Sequence, residues 1–75
     1  MNMLDALLSN TYTADIKGHR TSAVADMKAA IEADAELAAA ARERLVELSS
    51  MINARGKQAC AYSTKYWEYL TEALA

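Results

Sequence analysis

Seventy-five residues with a formal net charge of -2, no proline, two glycines and one cysteine are expected to form one domain, residues 1–75, that folds without an internal disulfide. The acidic balance argues against non-specific adhesion to nucleic acid or anionic membrane, which both need excess Lys and Arg, and no apolar run approaches the ~18 residues of a membrane span. A single histidine and a single cysteine, with no paired spacing, leave no metal box and imply no cofactor.

Alanine is the most frequent residue and breakers are scarce, which predicts an all-α fold, a small bundle of three or four helices. In the first segment Leu4, Leu7, Leu8, Tyr12 and Ile16 recur at spacings of three and four, one face of a helix running from Asn2 towards Lys17. Gly18 is its stop signal, with Lys17, His19 and Arg20 complementing the negative end of the dipole. The polar run "SNTYT" offers an alternative end near Ser9, because its side chains compete for backbone hydrogen bonds.

Thr21 or Ser22 is the expected cap of the second helix. From there Val24, Ile31, Ala38, Leu45 and Ile52 lie seven apart, with Met27, Ala41 and Leu48 three further on, as in a coiled-coil seam. Asp34 falls in that seam, where an unpaired carboxylate is costly. An unbroken helix from Ser22 to Arg55 would be about 50 Å long, beyond a compact domain of this length. A break near "EADAEL", with Asp34 capping a new helix, is the favoured resolution; the other is a long central helix whose seam pairs with a second copy. A chain this short buries only about 60% of its unfolded surface, so a homodimer is a natural expectation.

Gly56 marks the next helix end, and the last helix is expected to start at Lys57 or Ser63 and run to about Leu74. On a helical wheel Ala59, Tyr62, Tyr66, Tyr69, Leu70 and Ala73 form one core-facing stripe, whereas Trp67 falls on a neighbouring strip with Cys60 and Leu74. Phenylalanine is absent, so every aromatic carries an O–H or N–H that wants a partner, a property of residues at boundaries and binding hot spots.

Two sets of residues are therefore candidates for protein binding. One is Trp67, Tyr62, Tyr66, Tyr69 and Leu74; the other is the acidic set Asp34, Glu36, Glu43 and Glu47, with Glu32 beside it and Lys28, Arg42 and Arg44 diluting its field. Cys60 reads as a small buried hydrophobe and His19 as a helix-end residue, and no catalytic constellation is visible, so enzymatic activity is not expected. The lone thiol and the absence of a basic, long-apolar leader in "MNMLDALLSN" suit the cytoplasm. The expected function is that of an acidic, non-enzymatic module, an inhibitor or adaptor that occludes a basic or nucleic-acid-binding surface on a protein partner. In general type such a chain is similar to phage-encoded inhibitors of host machinery, including anti-CRISPR proteins, an analogy of class alone. The competing expectation is a dimeric helix-turn-helix regulator, from two helices cut around Gly56 with Arg55, Lys57 and Lys65 nearby.

Overall fold

A computed structural model describes residues 2–75. Four α-helices follow one another: α1 (Met3–Ile16), α2 (Arg20–Ala33), α3 (Ala35–Arg55) and α4 (Ala61–Ala73), with a short 3-10 helix (Gln58–Cys60) leading into α4. No strand occurs among the described residues. The radius of gyration is 11.7 Å, against about 11 Å for a compact chain of this length.

The α1 helix continues through "SNTYT" because the hydroxyls join its ladder instead of competing with it. Thr11 donates to the Leu7 carbonyl at 2.8 Å and Thr13 to that of Ser9 at 3.1 Å. Asn2 caps the start by accepting from the Asp5 amide. At the other end the Gly18 amide bonds the Asp15 carbonyl and the His19 amide that of Ala14, a Schellman pair that places Gly18 at positive φ.

This closure corrects the expected start of α2. The helix begins at Arg20 with His19 at its cap and no side-chain cap bond, because the Schellman turn already directs the chain and the His19 carbonyl accepts from Ala23. Thr21 and Ser22 lie exposed in the first turn.

Between α2 and α3 a single residue breaks the helix. Asp34 has φ -140° and ψ 107°, and its side chain accepts from the amides of Glu36 and Leu37. The seam carboxylate thereby leaves the apolar face and serves as a cap. Shortened in this way, α3 is about 32 Å long and matches the 33 Å long axis of the molecule.

After Gly56 the last helix starts at neither Lys57 nor Ser63. The 3-10 helix intervenes, α4 begins at Ala61, and Cys60 at its cap supplies no side-chain bond. Bonds from Trp67 to Ser49 and from Ser63 to Met51 pair rising with falling residue numbers, so α3 and α4 lie antiparallel. The core collects Leu4 and Leu8 from α1, Met27 and Ile31 from α2, Leu37, Ala41 and Leu48 from α3, and Tyr69, Leu70 and Ala73 from α4. Among the described residues no helix is long and apolar enough to cross a membrane.

Candidate functional site

The acidic set comes together. Asp34, Glu36, Glu43 and Glu47 line one open groove of about 450 Å³, together with the start of α1 (Asn2, Met3, Leu4), the buried Leu37 as its apolar floor and the exposed Ala40. Glu36 and Glu43 lie seven apart on α3 and Glu43 and Glu47 four apart, so their carboxylates repeat along one side of the helix. Arg44 is the basic residue of the lining; Asp5 holds its guanidinium at 2.9 Å and Glu47 approaches at 3.9 Å. Four carboxylates around one already paired cation leave the groove negative. Met3, 61% exposed, adds an adaptable apolar side chain at the lip.

The aromatic set divides. Tyr69 has no exposed surface and its hydroxyl donates to Asp15 at 2.6 Å. Inside the core it has no face for a partner. Burial, and then the bond to Asp15, push its pKa far above the usual phenol value. Tyr66 is half-buried, with its ring 6.4 Å from those of Tyr12 and Tyr69.

Tyr62 departs from the expected core stripe, being 63% exposed. Tyr62 keeps its α-helical phase with Tyr69, but the buried residues of α4, Tyr69, Leu70 and Ala73, all lie in the second half of the helix, so its first turn projects beyond the core; Ala59, in the 3-10 helix before it, is exposed as well. Tyr62 instead packs its ring 5.1 Å from that of Tyr12. Desolvation, and then the neighbouring Tyr62, raise the pKa of Tyr12.

The strip of Trp67 is covered in part by the protein's own chain. Trp67 and Leu74 are half-buried against the core, and Cys60 is buried as a free thiol. The Trp67 indole N–H donates to Ser49 Oγ at 2.9 Å, and the Lys57 ammonium stands 5.9 Å from the ring centroid.

A third feature escapes sequence reasoning. Arg20, at the start of α2, reaches Glu72 at 2.8 Å, Glu68 at 3.3 Å and Asp15 at 3.8 Å, and its guanidinium carbon lies 5.2 Å from the Tyr69 ring centroid. Its pKa is raised, chiefly by the hydrogen bond to Glu72. Lys65 stands 3.9 Å from Asp15. These residues clasp the α1–α2 turn to α4. Only the positive end of that turn was visible in the sequence, since its partners on α4, Glu68 and Glu72, lie 48 and 52 residues away.

Among the described residues no group of three or more His, Cys, Asp or Glu side chains is arranged to hold a metal ion. Compared with known proteins, the chain matches no protein-family model, no curated protein and no solved structure.

Proposed function

We propose that this protein is a non-enzymatic binding module whose groove between α1 and α3 receives a basic segment of a larger cytoplasmic protein, so that the chain acts as an inhibitor or adaptor by covering that segment. The observation that carries this reading is the convergence of Asp34, Glu36, Glu43 and Glu47 on one concave surface with Met3 at its lip. Complementary charge steers the encounter and fixes register, while the apolar floor supplies area that a purely ionic contact lacks. Arg44 is already neutralised by Asp5 and so opposes a cationic ligand less than a free arginine would.

The test is a titration with a short peptide rich in arginine and leucine, followed by fluorescence anisotropy. Saturable binding should weaken with added salt as the exposed carboxylates are screened. The pair Glu43→Lys and Glu47→Lys should lower affinity at least tenfold, since each removes an attraction and adds a repulsion. Equal affinity of the reversed variant and the parent would sink the reading. Duplex DNA is the control ligand: a mobility shift with steep salt dependence would favour the helix-turn-helix alternative.

A further inference from the structure

The cleft beside Trp67 differs in chemistry from the acidic groove. It encloses about 250 Å³ between Ser49, Ile52 and Asn53 of α3, Lys57 after Gly56, and Trp67 of α4. The indole N–H is satisfied by Ser49, whose own hydroxyl donates to the Leu45 carbonyl. Among the described residues the Lys57 ammonium and the Asn53 amide are left without a hydrogen-bonding or ionic side-chain partner, and the ammonium is held over the indole face. The cleft thus presents one cation, one amide, an aromatic face and the Ile52 side chain within a single concavity.

We infer that this cleft is a binding site for a carboxylate joined to a compact apolar group, either a small free acid or the C-terminal residue of another chain. The carboxylate pairs with Lys57 and accepts from the Asn53 amide, while the apolar group lies against Trp67 and Ile52. A neutral ligand of the same shape would leave the ammonium without its counter-charge. The volume, below the range of drug-sized pockets, limits the occupant to about the size of one amino-acid residue. The site shares no lining residue with the acidic groove, so the two stand or fall separately.

Trp67 is the chain's one tryptophan, so its fluorescence reports occupancy directly. N-acetyl-leucine should shift the emission saturably, and N-acetyl-leucinamide, which lacks the charge, should bind about tenfold more weakly, the factor lost with one charge-assisted hydrogen bond. Lys57→Met, at an exposed position, should keep the parent's melting curve and bind acid and amide alike. A pentapeptide ending in leucine distinguishes the sources: tighter binding than N-acetyl-leucine assigns a chain terminus, equal binding a free acid. The inference is overturned if acid and amide shift the emission equally in the parent, if neither shifts it saturably, or if Lys57→Met still prefers the acid.

Discussion

At the scale of single residues, Tyr69 combines burial with a charged hydrogen-bond partner. Its hydroxyl donates to Asp15 at 2.6 Å from a position with no exposed surface, and ionising it would place a phenolate beside a carboxylate. Burial, and then the bond to Asp15, therefore raise the folded pKa well above the ordinary phenol value. A group whose folded pKa is raised contributes stability that is whole below its unfolded pKa and is lost as pH climbs past it. Urea midpoints should accordingly fall above about pH 10, more steeply in the parent than in Tyr69→Phe. Tyr12, also raised, keeps some of that slope in the variant. At neutral pH the same substitution should cost about 1.5–3 kcal/mol, the range for a hydrogen bond to a charged group, with Arg20 and Lys65 remaining near Asp15 to limit the loss. Identical slopes in the two proteins would show that Tyr69 does not govern the alkaline limb.

At the scale of elements, stability concentrates where helices begin and end. The junction of α2 and α3 rests on Asp34, which accepts two amides at 3.0 and 3.1 Å. Asp34→Ala should cost about 1 kcal/mol and Asp34→Asn much less, because the amide oxygen still caps; equal losses in thermal melts would refute the capping role. The two glycines differ in kind. Gly18 closes a Schellman turn, whereas Gly56 has φ 85° and ψ 154°, a region close to one that only glycine populates. Neither would meet a neighbour within 4 Å if given a Cβ, so backbone strain alone sets the cost of alanine. Gly56→Ala should lose about 1–3 kcal/mol and Gly18→Ala about 1–2 kcal/mol, and a larger loss at Gly18 would reverse the assignment. These ends were legible in the sequence because Asp34, Gly18 and Gly56 act on amides and dihedrals close to themselves. The start of α4 was not, since Cys60 makes no cap bond and the 3-10 helix before it carries no side-chain signal of its own.

At the scale of the whole molecule, a bundle whose longest helix has Ala41 as one of its three buried residues draws little apolar area from that helix and needs other ties. Half of the acidic groove could be read from the spacing of Glu36, Glu43 and Glu47. The α1 part of its lining, Asn2 to Leu4, could not, because the register of α1 against α3 is set by tertiary packing and by the Asp5–Arg44 pair. The Trp67 cleft was hidden for the same reason, as Ser49 meets Trp67 only once α3 and α4 are paired antiparallel. Among the described residues Arg20 makes the ion pair of longest reach, joining the start of α2 to Glu68 and Glu72 of α4 and lying against the ring of Tyr69. Its side chain keeps 30% exposure, so solvent screens each pair, and the network is worth about 1 kcal/mol rather than the sum of its members. Arg20→Met should lower the melting temperature by roughly 4–8 °C, the shift that such a loss produces in a domain of this size. Arg20→Lys should restore only part of it, since an ammonium cannot reproduce the planar fork that reaches two carboxylates and stacks on the tyrosine. All four helices share one core, so the loss of helical circular dichroism and the change in Trp67 emission should coincide in the parent and in Arg20→Met alike. Helix loss preceding the emission change in the variant would mean that α1 and α2 detach before the α3–α4 pair opens, and that Arg20 holds two separable halves together.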